Sequence, residues 1–173
     1  MNMNNQMEEA ESSILHTYNR FPVVFERGEG VHLFDSEGSK YLDFAAGIAV
    51  NSLGYHYPGY DEALKEQINK LTHISNLYYN PAQTNLAQKL CELSGFSKVF
   101  FSNSGAEANE CAIKLARKYS TDKYNENRTK IITLVNSFHG RTVTTLAATG
   151  QDTFHHYFNP FTEGFTYAQA NHI

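Results

Sequence analysis

The chain has 173 residues, enough for one ordinary domain or one domain with a small appendage. Its 41% hydrophobic and 18% charged content is that of a globular protein, and a net charge of −4 without a basic stripe argues against nucleic-acid or anionic-lipid partners. Met1 to Glu11 is polar and acidic, so it does not read as a signal peptide, and no apolar stretch is long enough to cross a bilayer. Cys91 and Cys111 lie on the apolar sides of expected helices and read as free thiols in a reducing compartment, which points to the cytoplasm.

Residues 1–7 read as a disordered leader, and Glu8 to Tyr18 as a short helix. Val23 to Phe25, Val31 to Phe34 and Tyr41 to Phe44 are short β-prone runs. Arg27-Gly28-Glu29-Gly30 and Asp35-Ser36-Glu37-Gly38 separate them with turn chemistry, which predicts an antiparallel meander. Residues 45–60 carry Gly47, Gly54, Pro58 and Gly59 and read as loop. Leu64, Ile68 and Leu71 then repeat at helical spacing. A second helix opens at Asn80-Pro81, carries Leu86, Leu90 and Leu93, and ends at Gly95.

From Lys98 onward the pattern alternates between strand and helix. Lys98 to Phe101 reads as a strand, followed by a helix from about Ala106 to Tyr119 with Ala108, Cys111, Ala112, Leu115 and Tyr119 on one face. A polar connection (121–129), a buried strand Lys130 to Val135, a helix over 142–148 and a strand near Phe165 to Ala168 complete the pass. This alternation predicts an α/β protein with a largely parallel sheet. The organisation expected is a leader or helix start (1–13), an N-terminal segment with the β-meander (14–60) and the first part of a larger α/β domain (61–173).

Two segments carry chemistry. Ser102 to Ala106 forms a turn of small residues between an apolar run and a helix. Backbone N–H groups at such a helix start, with the helix dipole behind them, suit a phosphate. Ser104, Gly105 and Ala106 are small enough to let an oxyanion reach the backbone, with Ser102 or Ser104 adding a hydroxyl. Spacing alone fits an ordinary capped helix equally well. The turn lacks the glycine spacings of dinucleotide and P-loop motifs. The second segment, Ser137 to Thr142, follows an expected buried strand, and ligands of open α/β sheets sit beyond the carboxyl ends of strands. There Phe138 can stack on a flat group and Arg141 can grip a carboxylate. His155 and His156 diverge as neighbours, and no third ligand has metal spacing, so no metal is assigned.

Residues 102–110 and 136–142, with Phe21 to Phe25, Tyr41 to Asn51 and Ser75 to Asn80, resemble the class III pyridoxal-phosphate-dependent aminotransferases, collinearly from about residue 14 to 168. The resemblance implies the N-terminal portion of the pyridoxal-phosphate-dependent transferase fold (fold type I), with helices on both faces of its sheet. It implies that Ser104, Gly105 and Ala106 cradle the cofactor phosphate, that Phe138 stacks on the pyridine ring and that Arg141 receives a substrate carboxylate. The matching members move an amino group between N-acetylornithine and 2-oxoglutarate in arginine biosynthesis and form homodimers in the cytoplasm. Members acting on ornithine, 4-aminobutyrate or succinyldiaminopimelate are the alternatives within the family, and a non-catalytic phosphate-binding or interaction module is the alternative outside it.

Two departures stand out. Gly54-Tyr55-His56-Tyr57-Pro58 has tyrosines where the family usually has histidines. None of the chain's lysines sits in the context of the family's Schiff-base lysine, so no catalytic residue is assigned and the 173 residues are expected to be a truncated, inactive piece.

Overall fold

The structure is a computed structural model that describes residues 3–124 and 128–171. They form two compact units, divided between Tyr79 and Asn80.

The first unit opens with helix α1, Met3–Ser13. It lies earlier than Glu8 to Tyr18, and Met3 to Met7, read as disordered leader, are helical; Met1 and Asn2 fall outside the described residues. Ser12 and Ser13 stop the helix, because a serine hydroxyl competes with the backbone ladder: Ser12 Oγ donates to Glu9 O at 2.9 Å.

The meander is present as β1 (Phe25–Glu29), β2 (His32–Asp35) and β3 (Lys40–Leu42), paired antiparallel in that order. Its first turn is tighter than the sequence suggests. Arg27, Gly28 and Glu29 belong to the ladder, opposite Phe34, Leu33 and His32, and only Gly30 and Val31 reverse the chain. Gly28 serves packing instead: a Cβ there would lie 2.3 Å from the Tyr55 ring. The backbone of Tyr55 pins the hairpin tip, with Tyr55 N donating to Gly30 O at 2.7 Å and Gly30 N to Tyr55 O at 3.0 Å.

Two carboxylates organise the other turns. Buried Asp35 accepts from Glu37 N, Ser39 N and the Tyr41 hydroxyl. Burial pushes its pKa up, but these donors outweigh it and hold it below the usual carboxylate value. Asp43 accepts from Ala46 N at 2.8 Å, Ala45 N at 3.1 Å and the Tyr55 hydroxyl at 3.0 Å. The bond from Ala46 N is the main reason its pKa is lowered, and the Asp43 carboxylate in turn raises that of Tyr55. Tyr55, one of the two family departures, is thus a working part of this loop. The one-turn element α2 (Ala46–Ala49) that Asp43 caps is left-handed, with Ala46, Gly47, Ile48 and Ala49 at φ 45, 61, 62 and 63°. Helix α3, Tyr60–Lys70, follows, its Leu64, Ile68 and Leu71 exposed.

The second unit begins with α4, Pro81–Ser94. Its ends are as predicted: the Asn80 side chain accepts from Ala82 N, Pro81 opens the first turn, and Gly95 closes the helix at φ 75°. Residues 98–101, by contrast, join no ladder among the described residues. An apolar run becomes a strand only where another strand takes up its N–H and C=O groups.

Helix α5, Gly105–Tyr124, runs past Tyr119, because Thr121 to Lys123 are polar yet helix-compatible and Lys118 pairs with Asp122 at 2.9 Å. Residues 125–127 of the expected polar connection lie outside the described residues. The buried face of α5 carries Asn109, Glu110, Ile113 and Arg117, whereas Leu115 and Tyr119 of the predicted apolar stripe are exposed. Strands β4 (Ile131–Leu134) and β5 (Phe165–Ala168) pair in parallel, joined through helix α6, Val143–Ala148. The core of the unit is Ile113 of α5, Thr133 of β4, and Thr145 to Thr149 in and after α6. The carbonyls ending α6 are taken up by side chains: the Tyr167 hydroxyl donates to Ala147 O at 2.6 Å, and His155 Nε2 lies 3.0 Å from Leu146 O. Cys91 and Cys111 are free thiols.

Candidate functional site

Both chemistry-bearing segments lie in the second unit, and the structure brings them together. Ser104 caps α5: its hydroxyl oxygen accepts from Glu107 N at 3.2 Å, and the Glu107 carboxylate accepts from Asn103 N at 2.7 Å. Ser104 and Glu107 have the Ser-x-x-Glu spacing of a capping box. The hydroxyl of Ser102 is committed locally, donating to Ser104 O at 3.1 Å. Among the described residues the N–H groups of Gly105 and Ala106 have no acceptor. Two donors at the positive end of a 20-residue helix are therefore left for an anion.

The second segment leaves β4 through Asn136, at φ 64°, and returns on itself. Asn136 N donates to Gly150 O at 2.7 Å, and Gly150 N donates to Ser137 O at 3.1 Å. Between these anchors Phe138 and Arg141 are both exposed.

Gly140 makes the junction between the segments. It is buried at φ 122°, and a Cβ on it would stand 2.6 Å from the Ala106 Cβ and 2.8 Å from Thr145 Oγ1. Only a glycine allows this approach. Hydrogen bonds fasten it: Asn109 Nδ2 donates to His139 O at 2.8 Å, and the Thr142 hydroxyl donates to the Glu110 carboxylate. Thr142 also caps α6 in a reciprocal box with Thr145. Fully buried Thr149 holds the loop from within, accepting from His139 N at 3.0 Å while its hydroxyl lies within reach of Gly140 O at 3.3 Å and Thr145 O at 3.0 Å.

Asn109, Thr145 and Thr149 do not stand out in the sequence, and Glu110, whose spacing predicts an i,i+4 pair with Lys114, instead accepts from the Thr142 hydroxyl. Thr142 and Thr145 have capping-box spacing, but no spacing rule links Thr149 to Gly140 or Asn109 to His139. Phe154 was missed as well. Its ring meets Phe138 edge-on, with centroids 5.5 Å apart, and the Arg141 guanidinium carbon lies 6.0 Å from its centroid.

The site thus couples a helix start with two available N–H donors to a loop presenting an aromatic face and a guanidinium. This donor set fits a flat, phosphate-bearing cofactor and a carboxylate-bearing substrate. No group of three or more His, Cys, Asp or Glu side chains among the described residues is placed to hold a metal ion. No helix among them is long and apolar enough to cross a membrane.

The family model for class-III aminotransferases matches residues 14–173. The chain belongs to that family. It is 54% identical over 160 residues to the acetylornithine aminotransferase of Haemophilus ducreyi, covering 92% of this chain and 41% of that protein. Among solved structures, the ornithine aminotransferase of Toxoplasma gondii, described with partial occupancy of PLP at its active site, superposes with a TM-score of 0.92 at 29% identity, over 98% of this chain and 40% of that one. The acetylornithine aminotransferase of Elizabethkingia anophelis gives a TM-score of 0.79 at 36% identity, over 99% and 39%. The chain thus spans about two fifths of the length of the curated relatives it matches.

Proposed function

We propose that this chain is the N-terminal part of an aminotransferase that moves an amino group between N-acetylornithine and 2-oxoglutarate, a step of arginine biosynthesis. The observation that carries the reading is the contact between the Ala106 turn and the Gly140 loop, which sets two available N–H donors beside an exposed aromatic and an arginine. The 54% identity to an acetylornithine aminotransferase supports N-acetylornithine as the donor.

Pyridoxal 5′-phosphate, when bound, supplies the electron sink for amino-group transfer. The residues of this chain bind and orient. Gly105 and Ala106 donate their N–H groups to the phosphate, and Ser104 keeps the turn open by capping the helix behind them. Phe138 offers its face to the pyridine ring. Arg141 takes a substrate carboxylate in its planar fork, which a lysine would hold less specifically. The lysine that anchors the cofactor in this family has no counterpart in these 173 residues, so by themselves they supply half of a site and do not turn over. The complete enzyme is a cytoplasmic homodimer in this reading, and the exposed apolar side chains of α5 are consistent with surfaces that further polypeptide covers.

The likeness to an ornithine aminotransferase favours ornithine as the second candidate donor. Steady-state assays of the holoenzyme with 2-oxoglutarate and N-acetylornithine, ornithine, 4-aminobutyrate or succinyldiaminopimelate decide between them. The expected result is the highest kcat/KM with N-acetylornithine. A higher value with another donor replaces the substrate, and no transfer with any donor leaves the binding module.

A further inference from the structure

Phe154 belongs to neither motif, yet its ring lies beside both of the side chains that project from the second. Its ring lies edge-on to Phe138 at 5.5 Å with an interplanar angle of 62°, a favoured aromatic geometry. The Arg141 guanidinium carbon lies 6.0 Å from its centroid, at the outer reach of a cation–π contact. Phe138 and Arg141 are themselves exposed, so a lateral contact adds to how narrowly each is held.

Phe154 is itself held in place. It ends the single 3-10 turn Asp152–Phe154, with Phe154 N donating to Gln151 O at 3.1 Å. The turn is laced to the strand end that carries Phe138: Gln151 Nε2 donates to Ser137 O at 3.2 Å, beside the Gly150 N bond to the same carbonyl. A half-buried ring on a tethered turn thus packs edge-on against the exposed Phe138 ring, with the Arg141 guanidinium at cation–π distance.

We propose that Phe154 is a positioning residue that pre-orients both the cofactor-facing ring of Phe138 and the carboxylate-gripping Arg141. The inference rests on the proposed aminotransferase function and deepens it. Phe154 touches neither cofactor nor substrate; it limits the orientations that Phe138 and Arg141 would otherwise lose on binding. Its removal therefore weakens binding and spares the chemical step.

The test is Phe154→Leu and Phe154→Tyr in the holoenzyme, with three readouts: the Kd for pyridoxal 5′-phosphate by equilibrium titration, the KM for 2-oxoglutarate, and kcat. Phe154→Leu fills most of the volume without an aromatic edge or face, so both Kd and KM should rise about three- to tenfold. In the same variant kcat should stay within about twofold, since uniform binding alone is lost. Phe154→Tyr keeps the ring and should restore both constants. A Leu variant matching wild type in Kd and KM, or one that loses kcat with KM unmoved, overturns the inference while leaving the aminotransferase reading intact. A wild-type holoenzyme that fails to bind pyridoxal 5′-phosphate overturns both. Should Phe154→Leu not fold, Phe154→Met is read by the same criteria.

Discussion

Gly140 approaches Ala106 so closely that a Cβ on the glycine would lie 2.6 Å from the alanine Cβ. This contact joins the helix start that offers two N–H donors to the loop that bears Phe138 and Arg141. Gly140→Ala would have to move one segment from the other and would also carry the strain of φ 122°. The expected loss is about 2–3 kcal/mol, measured as a lower urea midpoint. Gly38→Ala, at φ 86° in open space, is the control and should lose only about 1 kcal/mol.

Thr149 is fully buried, and its hydroxyl accepts from His139 N at 3.0 Å. Thr149→Val keeps the shape and leaves that N–H without its partner. The expected destabilisation is about 1–3 kcal/mol by urea unfolding. Thr149→Ser retains the hydroxyl and should lose distinctly less.

Asp43 has its pKa lowered, first by the hydrogen bond from Ala46 N and further by Tyr55 and Ala45 N. A carboxyl more acidic in the folded than in the unfolded chain stabilises the fold fully above the unfolded value of about 3.9. That contribution fades as pH falls through the lower folded value. Asp43→Asn should therefore flatten the acid side of the stability curve below about pH 4, followed by circular dichroism at fixed urea. Tyr55→Phe should flatten it in the same direction, less strongly. An unchanged acid slope in Asp43→Asn would remove Asp43 from the set of groups that govern acid unfolding.

Helix α5 turns Leu115 and Tyr119 outward, and Phe100 and Ile132 of the same unit are exposed as well. Apolar surface of this kind drives association. The 173-residue chain on its own should be marginally stable and self-associating, with sedimentation that changes with concentration. A monomer with a cooperative, concentration-independent unfolding transition would contradict this.

What could be read from the sequence was largely local. The Asn80 cap, Pro81 and Gly95 set both ends of α4, because capping depends on residues within one turn. The small-residue turn at Ser104 to Ala106, Phe138 and Arg141 lie in contiguous motifs. What escaped depended on partners distant in the chain. Gly28 looked like a turn residue until the Tyr55 ring proved to lie on it. Residues 98–101 had strand composition but no neighbouring strand among the described residues. The buried face of α5 is the one whose Asn109 and Glu110 bond the Gly140 loop, not its most apolar one. Thr149 and Phe154 reach the site through folds of the chain that carry no fixed spacing.

In the proposed function this chain carries the cofactor-phosphate and substrate-carboxylate half of an aminotransferase site. The most direct measurement is glutamate formation from N-acetylornithine and 2-oxoglutarate by the holoenzyme, compared with its Arg141→Ala variant. The wild type should turn over, and the variant should show a KM for 2-oxoglutarate raised about tenfold to hundredfold by loss of a charge-assisted grip. A wild type that forms no glutamate, or a variant whose KM is unchanged, would contradict it.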